Sequence, residues 1–128
     1  MPSGDLRYRR GEIWWVNLDP TVGNETAKKR PCVILQNDVG NARSDTTMVA
    51  PLLKGSKAYP FVVNIEATVG NGLDENRGIH LEQMRVVDNR RIDNKLGTIE
   101  DKYWSEIEKA VCIVLGFDKI FEPDMVNQ

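Results

Sequence analysis

The chain has 128 residues, enough for a single domain with an ordinary apolar core. Its 41% hydrophobic and 28% charged residues are typical of a globular protein, and no stretch approaches the ~20 apolar residues of a membrane span. The polar, basic start at residues 1–10 lacks the apolar run of a secretory signal, so we expect a soluble cytoplasmic protein.

Most of the chain has the pattern of short strands. Apolar residues alternate over residues 12–18 on both faces of a predicted first strand, and a loop rich in Pro, Gly and Asn follows over residues 19–26. Residues 38–41 are interpreted as a break. Apolar and β-branched runs predict four more strands and a short sixth, at residues 32–35, 46–53, 61–65, 79–87 and 95–99.

The end of the chain has helical spacing instead. Apolar residues recur at this spacing from Trp104 to Leu115, and Gly116 is a natural terminator. Thr98, followed by Asp101, is the predicted N-cap. Five to six strands followed by one helix predict a mainly β (α+β) fold, a small bent barrel whose loops carry the chemistry.

The basic residues form three clusters, although the net charge is only −2. They occupy residues 7–10, 28–30 and 90–91, and each is either a solvated face or a local phosphate-binding surface. Cys32 and Cys112 lie in apolar runs and are interpreted as buried thiols, since a disulfide is unexpected in a reducing compartment. One histidine and no close Cys/His pair argue against a zinc site, and no metal or cofactor is expected.

Four segments occur in a recognisable order: RGEIWWVNLDPTVGNETAKKRPCVILQND (residues 10–38), VAPL (49–52), SKAYPF (56–61) and HLEQMRVVD (80–88). In this order and spacing they resemble the MazF/PemK family, ribosome-independent endoribonuclease toxins of toxin–antitoxin systems. The terminal helix also falls where the family has one. The resemblance covers a single domain with its core at residues 10–117, and the unmatched tail at residues 118–128 is expected to be flexible and partly disordered.

The resemblance implies an SH3-like barrel of the MazF/PemK/CcdB type that forms a homodimer. It also implies cleavage of single-stranded mRNA at short sequence motifs without a metal, which leaves a 2′,3′-cyclic phosphate and a 5′-hydroxyl. The implied partner is a cognate MazE/PemI-like antitoxin that threads a peptide through the site.

Such cleavage needs a base for the 2′-hydroxyl, an acid for the departing 5′ oxygen, and cations for the charge on phosphorus. Arg30 matches the family's catalytic arginine, and a guanidinium offers a fork of donors suited to phosphate. Glu25 matches a family glutamate implicated in activity. It would orient Arg30 or act as the base; the alternative is a surface glutamate.

His80 and Glu82 are two residues apart on the predicted fifth strand, so we expect them on one face. They occupy the positions of an arginine and an aspartate with proposed catalytic roles in the PemK branch. An imidazole beside a carboxylate suits proton transfer, whereas a structural histidine is the alternative.

Leu53 departs from the family pattern, because much of the family has a threonine there that transfers a proton or contacts phosphate. Three explanations stay open. The pair of His80 and Glu82 carries the proton transfers, or Thr47 or Ser56 supplies the hydroxyl. In the third, the protein is a weak or inactive relative that binds RNA, an antitoxin or a topoisomerase.

RNA also needs a path along the site. On the family pattern, loop lysines rim the groove and suit the backbone of a single strand, and an aromatic side chain offers a stacking face for a base. The residues predicted to contact RNA are Lys28, Lys29, Lys54, Ser56, Lys57, Tyr59, Gln83 and Arg85. Trp14 and Trp15 are assigned to core or dimer packing.

Overall fold

The structure, a computed structural model, describes residues 6–117. These residues form seven strands and two α-helices: β1 (Glu12–Asn17), β2 (Lys29–Ile34), α1 (Asp38–Arg43), β3 (Thr46–Lys54), β4 (Val62–Ile65), β5 (Arg77–His80), β6 (Arg85–Asp88), β7 (Ile92–Thr98) and α2 (Trp104–Leu115). No helix within this range combines the length and apolar character of a membrane span. The tail predicted at residues 118–128 lies outside the described range.

The strands form one antiparallel sheet in the order β4-β5-β3-β2-β1-β7, with β6 also paired to β3. The long strand β3 bends the sheet, because its two halves pair with different neighbours. Residues 46–49 lie opposite β6, whereas residues 52–54 lie opposite β5. The result is a barrel-like, mainly antiparallel fold with a C-terminal helix, which confirms the predicted fold class.

The sheet is buried on both faces, which explains the apolar residues on both sides of β1. Ile13 belongs to a cluster between the sheet and α2 that also contains Leu52, Ile79 and Ile107. Val16 belongs to a second cluster on the opposite face, with Cys32, Ile34, Val49 and Val87. Trp14 is partly buried and packs against this second cluster, in agreement with its assignment to core packing.

The predicted fifth strand, residues 79–87, is wrong as one element. It is two strands, β5 and β6, separated by a 3₁₀ turn at Leu81–Gln83. The Leu81 N–H donates to the Phe61 carbonyl, and the buried Leu81 side chain anchors the turn in the core. Leucine, glutamate and glutamine favour helical backbone, a local signal that the apolar pattern of the segment concealed.

The predicted break at residues 38–41 and the predicted N-cap of the C-terminal helix are also wrong. Residues 38–41 lie in the helix α1, which Asn37 caps by accepting a hydrogen bond from the Gly40 N–H at 2.8 Å. Thr98 does not cap α2, because it ends β7 and a 3₁₀ turn at Asp101–Tyr103 comes before the helix. The terminator is confirmed: Gly116 has φ +80° and its N–H bonds to the last turn of α2.

Both cysteines are free thiols, but their surroundings differ. Cys32 is fully buried, whereas Cys112 is half-buried on α2, so the prediction of two buried thiols holds for Cys32 alone.

Candidate functional site

The loop between β1 and β2 is closed at its base by backbone pairing. The Leu18 N–H donates to the Lys28 carbonyl at 2.9 Å, and the Lys28 N–H donates to Asp19 Oδ1 at 3.0 Å. Lys28 has φ +70°, the left-handed conformation that lets the chain turn back into β2. The exposed residues of the loop therefore project from a fixed base.

A polar groove of about 410 Å³ lies between this loop and the turn before β6. The residues that line it are Val22, Asn24, Glu25, Glu82, Gln83, Met84 and Arg85. The Thr26 N–H donates to Gln83 Oε1 at 3.3 Å, so the loop is tied to the opposite wall. Four residues singled out from the sequence, Glu25, Glu82, Gln83 and Arg85, thus meet in one groove.

Arg30 lies where the loop enters β2. It is half-buried and opposite Val16, and its Nε–H donates to the Ala27 carbonyl oxygen at 3.1 Å. Along β2, Arg30 and Cys32 share one face of the sheet. Burial raises the pKa of the Cys32 thiol, and the charge of Arg85 acts in the opposite direction.

His80 and Glu82 are paired, although not as neighbours on one strand face. His80 Nδ1 lies 3.1 Å from Glu82 Oε2, across the junction of β5 and the 3₁₀ turn. The imidazole side chain is 10% exposed and the carboxylate 32% exposed. Glu82 also lines the groove, so it links the buried imidazole to the groove surface.

The Glu25 carboxylate bonds within its own loop, where Oε1 accepts from the Val22 N–H. The Ala27 carbonyl, not Glu25, holds the Arg30 Nε–H. Glu25 thus lines the groove as a carboxylate that stabilises the turn of the loop.

The predicted lysines lie elsewhere on the surface and are not among the residues that line the groove. Lys29 pairs with Asp93 on β7, and Lys54 Nζ lies 3.4 Å from Glu75 Oε2. Lys28 is exposed at the base of the loop. Ser56, Lys57 and Tyr59 occupy the loop between β3 and β4, where Tyr59 stacks on Phe61 with ring centroids 5.2 Å apart.

The structure narrows the explanations for Leu53. Thr47 is fully buried, and its hydroxyl donates to Asn41 Oδ1 at 2.7 Å, so it is committed to the core and cannot reach RNA. Leu53 itself is half-buried opposite Gly78 on β5. Of the two hydroxyls considered, only that of Ser56 is exposed.

Three residues of the groove were not predicted from the sequence: Val22, Asn24 and Met84. Val22 is 79% exposed and Met84 is half-buried, and together they give the groove its apolar part. The Pro, Gly and Asn residues of the segment predicted the loop, but no residue pattern predicted which of its side chains line the groove.

A second, larger groove of about 640 Å³ is apolar and lies between α2 and the sheet. Its lining includes Met48, Met84, Trp104, Val111 and Leu115. The Arg10 guanidinium lies 3.8 Å from the Trp104 ring centroid at its edge. Met84 lines both grooves, so the apolar groove adjoins the polar one.

Known proteins are similar to the chain over most of its length. The model of a family described as PemK-like, MazF-like toxin of type II toxin–antitoxin system matches residues 9–115. The endoribonuclease MazF of Staphylococcus saprophyticus is 40% identical over 114 residues, covering 88% of this chain and 94% of the relative.

Solved structures are similar in fold. The crystal structure of MazF from Deinococcus radiodurans superposes with a TM-score of 0.73 at 24% identity, covering 88% of this chain and 99% of that one. A mycobacterial endoribonuclease in complex with its cognate antitoxin superposes with a TM-score of 0.69 at 16% identity, covering 85% and 95%.

Proposed function

Because the chain belongs to the family of PemK-like and MazF-like toxins of type II toxin–antitoxin systems, we propose that it is an endoribonuclease that cleaves single-stranded mRNA. The cleavage is metal-independent and selective for a short sequence motif, and it takes place in the cytoplasm. The observation that carries this proposal is the polar groove, where Arg85, Glu25 and Glu82 meet. Glu82 is bonded there to the buried His80, and Arg30 lies at the start of β2, directly after the loop that forms one wall.

The groove, together with His80 and Arg30 beside it, supplies what cleavage by an internal nucleophile requires. The ribose 2′-oxygen attacks phosphorus and loses its proton to a base, and the bond from phosphorus to the 5′-oxygen breaks as that oxygen gains a proton from an acid. The products are a 2′,3′-cyclic phosphate and a 5′-hydroxyl. His80 and Glu82 carry the proton transfers, because an imidazole bonded to a carboxylate can accept and return a proton.

The guanidinium of Arg30 stabilises the charge that builds on the phosphate oxygens. Arginine keeps its charge at any working pH and presents donors in a fork that matches two such oxygens. Arg85 and Gln83 hold the RNA within the groove. The exposed lysines contact the RNA backbone beyond the groove, and Tyr59 on the loop between β3 and β4 offers a stacking face. Leu53 takes no part in this chemistry.

The decisive test is to incubate the purified protein with a long, unstructured RNA in EDTA and to map the new 5′ ends. We expect discrete cuts at a recurring short motif, with 5′-hydroxyl and cyclic phosphate ends. RNA that stays intact under these conditions would instead favour the alternative raised by Leu53, a barrel of the same fold that binds RNA, an antitoxin or a topoisomerase without cutting.

We further propose two protein partners. The first is a cognate antitoxin whose peptide occupies the RNA groove. The second is another copy of this chain, seated on the apolar groove, where Leu115 is 52% and Phe117 51% exposed. Because Met84 joins the two grooves, a second copy at this place would lie beside the RNA site of the first.

Leu115→Asp is expected to weaken the dimer, since a carboxylate in an apolar contact loses its hydration without gaining a partner. Leu115 is exposed in the last turn of α2, so the monomer fold should persist. We expect the dimer dissociation constant to rise at least ~10-fold by sedimentation equilibrium. Val69→Asp, at a fully exposed valine, is the matched control. A dimer unchanged by Leu115→Asp would place the interface elsewhere.

A further inference from the structure

Two arginines hold the base of the β1–β2 loop. Arg85, which lines the groove proposed to bind RNA, donates from its Nη1 to the Leu18 carbonyl at a distance of 3.0 Å. Arg91 Nη1 donates to the Asn17 carbonyl at 3.2 Å and to the Asp19 carbonyl. Three successive carbonyls at the start of the loop are therefore bound by guanidinium groups from the chain that follows the 3₁₀ turn at Leu81–Gln83.

Arg91 binds from outside the RNA groove. It lines a different surface groove, together with Asn17, Asp19, Asp88 and Arg90, and its side chain is half-buried there. Its neighbour Arg90 is different, because its side chain is 87% exposed and pairs with the Asp88 carboxylate at 3.0 Å. The two arginines of one basic cluster thus have different roles: Arg90 is a solvated side chain, and Arg91 holds backbone.

The backbone that Arg91 holds leads directly to the groups proposed to cut RNA. Asp19, whose carbonyl it binds, uses its carboxylate to accept from the Lys28 N–H across the loop. At the end of the loop, the Ala27 carbonyl holds the Arg30 guanidinium. A shift at Asp19 would therefore pass through Lys28 to the carbonyl that orients Arg30.

We propose that Arg91 is a positioning residue for RNA cleavage, which holds the base of the β1–β2 loop so that the loop side chains keep their places in the groove and Arg30 keeps its place beside it. The proposal rests on the proposed endoribonuclease function. It assigns Arg91 no contact with RNA, since its guanidinium is engaged by backbone carbonyls in a different groove.

The test compares two neighbouring substitutions in the full-length protein. Arg91→Met keeps the aliphatic stem and removes the donors; Arg90→Met does the same one residue earlier. We expect Arg91→Met to lower kcat about 10- to 100-fold with little change in KM, because a misplacement of about 1 Å at a reacting group costs this much. Arg90→Met should stay within about twofold of the wild type, and Arg91→Lys, which restores a donor, should recover most of the lost rate.

The salt dependence of the RNA affinity distinguishes a residue that positions the loop from one that contacts RNA. A lost phosphate contact would reduce the slope of log affinity against log salt by about 0.7 for a single strand. We expect this slope to be the same in Arg91→Met and the wild type. A reduced slope together with a raised KM would overturn the proposal and make Arg91 an RNA contact, and equal rates for Arg91→Met and Arg90→Met would overturn it as well.

Hydrogen exchange tests the loop without reference to activity. In Arg91→Met the Leu18 and Lys28 amides, which pair across the base of the loop, should exchange at least about 10-fold faster, while amides of the β2–β3 ladder stay protected. Unchanged exchange at both amides would refute the positioning role. If the wild type fails to cut RNA, the endoribonuclease function fails by itself, and the exchange data still decide whether Arg91 holds the loop.

Discussion

Arg30→Ala is expected to slow RNA cleavage at least ~100-fold, since removing one donor that stabilises transition-state charge costs about 10²–10³ in rate. Among the contacts within residues 6–117, the Arg30 side chain donates only its Nε–H, to the Ala27 carbonyl. Its terminal nitrogens are therefore the donors available to a phosphate. The measurement is the single-turnover rate of cleavage in EDTA, with the RNA whose cut sites have been mapped.

The fold should survive this substitution. The pairing of β1 with β2 at Val16 and Arg30 uses backbone atoms, and the lost side-chain hydrogen bond is worth about 1–3 kcal/mol. Arg43→Ala, at an exposed arginine in the last turn of α1, is the control and should cut at the wild-type rate. Arg30→Lys keeps the charge but loses the fork, so an intermediate rate is expected. Full activity of a folded Arg30→Ala protein would remove the central residue of the mechanism.

His80→Asn and Glu82→Gln are each expected to slow cleavage about 10²- to 10⁴-fold, the usual contribution of a positioned acid or base. Both changes preserve shape and hydrogen-bonding capacity: an asparagine amide can still donate to Glu82, and a glutamine oxygen can still accept from His80. What they remove is the ability to gain and lose a proton. Single-turnover rates report the effect on the chemical step.

The double variant tells whether the two residues act together. A pair that works as one unit should lose little more rate in the double variant than in either single one. Glu66→Gln, at an exposed glutamate after β4, is the control and should leave the rate unchanged. Cleavage by folded His80→Asn within about threefold of the wild type would reduce His80 to a structural histidine, and Glu25 would then be the next base to test.

Much of the fold could be predicted because its signals are local. The alternation of apolar residues located β1, and helical spacing ending at Gly116 located α2. The 3₁₀ turn that divides the predicted fifth strand could not be predicted from such local signals. Leu81 is buried whether its backbone is extended or turned, so burial alone does not distinguish the two. The turn depends on a bond to the Phe61 carbonyl, 20 residues earlier in the chain.

The candidate site was predictable in part. Arg30, Glu25 and the pair of His80 and Glu82 were identified from a resemblance and from chemistry, and the structure brings Glu25 and Glu82 into one groove. The positions of the lysines were not predictable, because ion pairs such as that between Lys29 and Asp93 join residues far apart in the chain. Arg91 carried no sequence signal that distinguished it from Arg90.

By itself the sequence determined the strand β1, the helix α2 and the side-chain types suited to proton transfer and phosphate binding, because these depend on residue type and short-range spacing. The tertiary structure decided which of those residues meet. It placed Glu82 where it both bonds to a buried imidazole and lines the groove, and it turned one of two adjacent arginines toward the carbonyls of a distant loop. These contacts depend on the pairing of β3 with three other strands, β2, β5 and β6. Pairing between strands that are far apart in the chain cannot be predicted from the local spacing of residues.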